Sequence, residues 1–182
     1  MTMAFSRRGT SLLTRLSPAE ASALGTLAGE LAELVAPLSR HPTDQIEELA
    51  GLAEDDGSGA PSSDPALRRL FPDAYRDDPA ASREYRHYTQ DDDARLKAEA
   101  ARTVMQDVAD ADDGWVTIPP DHIHAWLTTL NNLRLVLAAR MGVETEADAE
   151  ALDRLWRRDP RAPVAAVYNW FSWMLESLLD SL

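Results

Sequence analysis

The segment from Pro119 to Gly142 constrains this chain more than any other. Ile123, Trp126, Leu127, Leu130, Leu133, Val136 and Leu137 recur at the 3.6-residue spacing of an amphipathic helix. Pro119-Pro120-Asp121 opens that helix, and Gly142 stands where a left-handed C-cap belongs. A second segment, Ala162 to Leu182, is apolar nearly all round, with Val164, Val167, Tyr168, Trp170, Phe171, Trp173, Met174, Leu175, Leu178 and Leu179. A surface helix needs only one apolar face, so this one is expected either at the centre of a bundle or as half of an oligomer contact. Two such segments commit the chain to a mainly α fold.

Other elements follow from caps and spacing. Ser17-Pro18-Ala19-Glu20 predicts a capping box and a helix to about Val35, with Leu24, Leu27, Leu31, Leu34 and Val35 on its inner face. Thr43 to Ala53 repeats the formula with Ile46, Leu49 and Leu52. A long polar helix is expected over Ala80–Ala109, with Tyr85, Tyr88, Leu96, Val104 and Val108 as its core face and Gly114 as its stop. Ala147 to Arg157 reads as a short helix. Phe5 and Leu12–Leu16 flank Gly9 as a β-hairpin, and the alternating Trp115-Val116-Thr117-Ile118 is expected to pair with it. The whole is a single domain over residues 1–182. It is a helical bundle with a small hairpin or three-stranded element at about 3–16 and 115–118, and a mobile, solvated loop at 54–65. Leu16, Pro18, Ala23, Leu24 and Leu31 are echoed at constant spacing by Ile118, Pro120, Ala125, Trp126 and Leu133. Two strand-then-helix units about a pseudo-twofold would produce that echo, and so would a generic helix pattern.

Composition narrows the function classes. A formal net charge of -13 opposes non-specific binding to phosphate backbones, and no helix carries the basic face of a stand-alone DNA reader. The arginines are unevenly spread, however, with Arg134, Arg140, Arg154, Arg157, Arg158 and Arg161 crowding the last third. With 0 cysteines, the chain has no disulfide, thiol nucleophile or thiol switch of its own. No apolar run reaches membrane-spanning length and no signal peptide is legible, so a soluble cytoplasmic protein is expected.

Nothing in the chain spells a reaction. His122 and His124 stand at i, i+2 and diverge, so they read as helix-start histidines and not as a metal pair. Asp91-Asp92-Asp93 lacks the glycine turn and closing glutamate of a calcium loop and reads as a solvated face. No nucleophile elbow, P-loop or dinucleotide fingerprint occurs. The chain is therefore read as no enzyme, with no cofactor and no metal. Asn131, Asn132 and Arg134 interrupt an apolar run. They serve either a structural bond, an asparagine to the 115–118 strand or a loop and Arg134 to an acid, or a partner. Trp170 and Trp173 project from neighbouring faces and suit either core packing or a homodimer or partner surface. Arg157 and Arg158 join Asn131, Arg134, Trp170 and Trp173 as candidate partner-binding residues.

Three stretches are familiar together: Leu70-Phe-Pro-Asp-Ala-Tyr-Arg-Asp-Asp-Pro, Ala125-Trp-Leu-Thr-Thr-Leu-Asn-Asn-Leu-Arg-Leu-Val-Leu-Ala-Ala-Arg-Met-Gly, and Asp159-Pro with Val167-Tyr-Asn-Trp and Leu175-Glu-Ser-Leu. With Phe5-Ser-Arg-Arg-Gly, they make the chain resemble an actinobacterial family of unknown domain function, the AosR-type regulators. The genes of that family lie near the Clp protease adaptor and a cysteine-synthesis cluster. The resemblance implies an oxidative-stress-linked, transcription-associated regulator acting through a protein such as a sigma factor or RNA polymerase. The neighbourhood offers an adaptor in Clp-dependent proteolysis as the alternative. Oxidant sensing through a cysteine pair cannot operate in this chain.

Overall fold

The computed structural model describes residues 2–39, 62–155 and 159–182. In chain order they form β1 (Ser6–Arg8), β2 (Ser11–Arg15), α1 (Pro18–Val35), α2 (Pro65–Leu70), α3 (Pro79–Ala109), β3 (Trp115–Ile118), α4 (Ile123–Met141), α5 (Glu146–Asp153) and α6 (Ala162–Leu179). Short 3-10 turns follow α1 at Ala36–Leu38 and precede α4 at Pro120–His122. The expected fold, mainly helical with a small antiparallel sheet in the order β1-β2-β3, is the observed one. The expected helix at Thr43–Ala53 and most of the 54–65 loop lie outside the described residues; Asp64, at the loop's end, caps α2 by accepting from the Ala66 N–H.

The caps behave as their chemistry demands. Ser17 accepts from the Glu20 N–H while the Glu20 carboxylate returns to the Ser17 N–H, closing the capping box. Thr145 and Asp148 do the same for α5, which begins one residue before its expected start; the region beyond Leu155 passes outside the described residues. Gly142 adopts φ 71° and ends α4. Gly9, at φ 64°, takes the first position of the two-residue hairpin turn, where only glycine turns left without cost. Gly114 has a different task from the one expected. α3 already ends at Ala109, and Gly114 (φ 79°) shapes the entry to β3, where its carbonyl accepts from the Leu16 N–H at 2.9 Å.

Leu12 and Thr14 of β2 and Val116 and Ile118 of β3 turn to the helices and are buried, while Arg15 and Trp115 face outward. Leu24, Trp126, Leu130, Phe171, Met174 and Leu178 complete the main core. A satellite cluster joins α4, α5 and α6 through Ala138, Val143, Leu152 and Ala165. The ladder gives the sequence echo a geometric meaning. The spacing that carries Leu16 to Ile118 and Leu24 to Trp126 also carries Thr14 to Val116, and those two residues are direct partners in the sheet. Positions that the echo makes equivalent thus face each other in the β2–β3 ladder. The equivalent pairs Leu16/Ile118, Leu24/Trp126 and Leu31/Leu133 are all buried.

The expected core face of α3 is corrected at three positions. Tyr85, Tyr88 and Leu96 are exposed, and the buried face is Ser82, Arg86, Ala94, Ala98, Ala101, Val104 and Val108. The reason is the neighbour: α3 lies along α1, whose buried face includes Ala28 and Ala32, and two helices in close approach leave room for alanine and not tyrosine. Buried Arg86 is neutralised by Asp73. The final helix α6 lies along α4 with α5 at its start; Ala165, Phe171, Met174, Leu175 and Leu178 are buried, while Val164, Ala166, Asn169, Trp173, Glu176 and Leu179 are exposed. Among the described residues no helix is long and apolar enough to cross a membrane.

Two glycines give opposite outcomes. A Cβ at Gly25, inside α1, meets nothing within 4 Å, so Gly25→Ala should stabilise by about 0.8 kcal/mol in urea unfolding. A Cβ at Gly114 would stand 2.5 Å from the Leu16 carbonyl oxygen at a left-handed φ. Gly114→Ala should therefore cost about 2 kcal/mol or more.

Candidate functional site

The most developed polar cluster joins the end of α3 to the start of α4. Asp107 is buried on the face that carries Val104 and Val108. Its carboxylate accepts from the Trp126 indole N–H at 2.8 Å and lies 2.9 Å and 3.1 Å from His122 Nδ1. The 3-10 turn after Pro119 sets His122 over that carboxylate, and one helical turn later Trp126 reaches the same group. Trp126 is fully buried and packs edge-on against Phe5, with ring centroids 5.8 Å apart. His122 is a partly exposed helix-start histidine, as its position suggested, and it is also bonded to a buried acid. An aspartate orienting an imidazole is half of a general-base relay. The cluster bonds the end of α3 to the start of α4.

A second cluster ties the start of the chain to α6. The Phe5 N–H donates to Ser177 Oγ and its carbonyl accepts from Ser181 Oγ, both at 2.9 Å. The Trp170 indole N–H donates to Thr2 Oγ1 at 2.9 Å, and the Thr2 N–H donates to Glu20 Oε1 at 2.9 Å. Glu20 therefore serves α1 and the N-terminal strap together. Burial works to raise its pKa, but the hydrogen bonds from Ser17 and Thr2 prevail and lower it from 4.5 to about 2.

The candidate partner-binding residues divide. Arg134 and Asn131 are half-buried on α4 and meet each other, guanidinium to amide oxygen at 3.4 Å. Arg134 stands one turn before Ala138, which packs with Ala165 of α6, so the pair lies at the α4–α6 seam. The expected acidic partner of Arg134 and the expected asparagine bond to the 115–118 strand are both replaced by this local pair. Asn132 is buried with Nδ2 unpartnered, as is the Thr129 hydroxyl one turn earlier, each at a cost of about 1–3 kcal/mol. Trp170 is half-buried, held by Thr2 and stacked on Phe171, while Trp173, one turn further on, is 39% exposed. Arg157 and Arg158 lie outside the described residues. Arg140, Arg154 and Arg161 are paired with Asp64, Glu150 and Asp159, which breaks up the basic face that the crowding of arginines suggested. No group of three or more metal-ligating side chains occurs among the described residues.

Sequence reasoning missed Asp107. Its signal was a carboxylate at helical spacing inside the apolar stripe of Ala100, Val104 and Val108, where a solvated acid has no place. The strap was signalled by Ser177 and Ser181, an i, i+4 hydroxyl pair on an otherwise apolar helix.

The model of a family described as a domain of unknown function, DUF2017, matches residues 2–182. Proteins from Mycobacterium tuberculosis and Mycobacterium bovis, each named oxidative stress regulator AosR, are 31% identical to the chain over 187 residues, covering 95% of it and 83% of their own length. A Mycobacterium leprae relative is 29% identical over 181 residues, covering 92% of the chain and 80% of its own length. No solved structure matches the chain.

Two substitutions measure the clusters. Asp107→Ala leaves the buried Trp126 N–H without an acceptor and should cost about 1–3 kcal/mol, read as a fall in the urea midpoint with a red shift of tryptophan fluorescence. The folded Glu20 pKa lies below the unfolded value, so its contribution is complete above pH 4.5 and fades as pH falls toward 2. Glu20→Gln should therefore be less stable than the parent at neutral pH, and the difference should close across that acid window in pH-dependent thermal unfolding.

Proposed function

Because the chain belongs to the DUF2017 family, we propose that it is a non-enzymatic regulator of an oxidant response, working in the cytoplasm through a protein partner of the transcription machinery. The observation that carries this reading is the likeness, over nearly the whole chain, to mycobacterial proteins named oxidative stress regulator AosR. A net charge of -13 favours a protein partner over bare DNA. A sigma factor or a polymerase subunit with a basic surface suits that charge. The chain does this without a thiol switch, having no cysteine.

Two residues suit the contact. Trp173 offers an exposed aromatic on the outer side of α6, the kind of side chain that anchors an interface. Arg134 has Asn131 as its bonding partner and no carboxylate among the described residues, which leaves its charge available at the α4–α6 seam.

Affinity capture of the full chain from an actinobacterial lysate, with and without peroxide, tests the reading. Enrichment of a sigma factor or polymerase subunit is expected. Recovery of Clp components in their place would overturn it in favour of an adaptor, and a deletion strain with an unaltered transcript response to peroxide would overturn the regulatory role. Trp173→Ala should weaken capture by about 2 kcal/mol, roughly thirtyfold, with the melting temperature unchanged. Arg134→Ala should weaken it less, and a parallel loss of thermal stability would make either residue structural.

A further inference from the structure

The chain carries its oxidisable sulfur in methionine alone, and the structure sorts those methionines by access. Met174 is fully buried, and Met141 is half-buried against the satellite cluster. Met3 is 49% exposed beside the N-terminal strap. Met105 combines exposure with a structural contact. It is 36% exposed, and it lies one turn beyond Ala101 on the side of α3 that borders α1. Its thioether rests over Gly29: a Cβ built on that glycine would stand 3.5 Å from Met105 Cε and 3.7 Å from Sδ. A glycine inside a helix forgoes about 1 kcal/mol relative to alanine. A methyl at position 29 would meet the thioether at ordinary van der Waals distance, so the sulfur lies over this part of α1 with about a methyl's width between them.

We propose that Met105 is a peroxide-oxidised site through which this chain registers oxidant, an inference that rests on the regulatory reading above. A sulfur lone pair attacks one oxygen of hydrogen peroxide. The S–O bond forms as the O–O bond breaks, and the departing hydroxide takes the remaining proton to leave as water. Sulfur is oxidised by two electrons and the peroxide is reduced by two. The product is a sulfoxide, a polar acceptor in place of an apolar thioether, reversible by methionine sulfoxide reductases. On the α1 side that oxygen has no backbone donor to meet, since the helical N–H groups of α1 are engaged within their own helix, so the sulfoxide turns away from α1 toward solvent. The packing of the Met105 side chain on α1 is weakened, and the loss is read in the stability of the folded chain.

The test uses the purified full chain, its Met105→Leu and Met3→Leu variants, and hydrogen peroxide. Sites are read by peptide mass spectrometry, and structure by thermal unfolding and tryptophan fluorescence. Met105 sulfoxide should form well before sulfoxide at Met141 or Met174, with a fall of about 3 °C in the melting temperature. A sulfoxide reductase should reverse that fall, Met105→Leu should abolish it, and Met3→Leu should leave it intact. Met105 oxidising no faster than Met174, or Met105→Leu losing as much stability as the parent, would overturn the inference. In cells, a Met105→Leu strain with an unchanged peroxide response overturns this inference alone. A deletion strain with an unchanged response overturns the regulatory reading, while the chemistry at Met105 is judged by the purified protein.

Discussion

A fully buried tryptophan imposes one demand on its surroundings: its indole N–H must find an acceptor in a place that water does not reach. Trp126 meets that demand with Asp107, and much of the molecule is arranged to make the meeting possible. The carboxylate is itself buried, so it needs further donors, and His122 supplies one from the turn that starts α4. The opposite edge of the indole is closed by Phe5, which the hydroxyls of Ser177 and Ser181 hold against α6. One aromatic ring thus ties the last turns of α3, the entry of α4, the N-terminal strap and the C-terminal helix into a single packing problem.

The sequence echo that sets Thr14 opposite Val116 in the sheet also makes Leu24 the counterpart of Trp126 in spacing. Leucine needs no acceptor; the tryptophan does, and it has acquired an acid and an imidazole. The N-terminal strap joins the two units, bonding Glu20 of α1 through Thr2 and packing on Trp126 through Phe5.

The features legible from sequence were those decided by neighbours along the chain. The Ser17–Glu20 box, the Gly9 hairpin turn, the Gly142 cap and the 3.6-residue stripe of α4 each depend on side chains within a few residues of the backbone they satisfy. The inner face of α3 was misread because an alanine carries little signal of its own. Ala94, Ala98 and Ala101 become a core face only when α1 approaches closely, whereas Tyr85 and Tyr88 advertise hydrophobic area that the fold leaves outside. At the candidate site, Asn131 and Arg134 were correctly picked out as residues needing an explanation, yet their partner proved to be each other. Arg140 illustrates the same limit: its carboxylate is Asp64, far away in sequence, which spacing along the chain cannot show.

The pairing of β2 with β3 has a consequence for how the chain reaches this structure. Those strands are neighbours in space, yet α1, α2 and α3 all lie between them in sequence. Closing so large a loop costs entropy that a ladder of four residue pairs does not recover alone. The β1–β2 hairpin is local, whereas the β2–β3 ladder depends on the packing of α1 on α3 to bring its strands together.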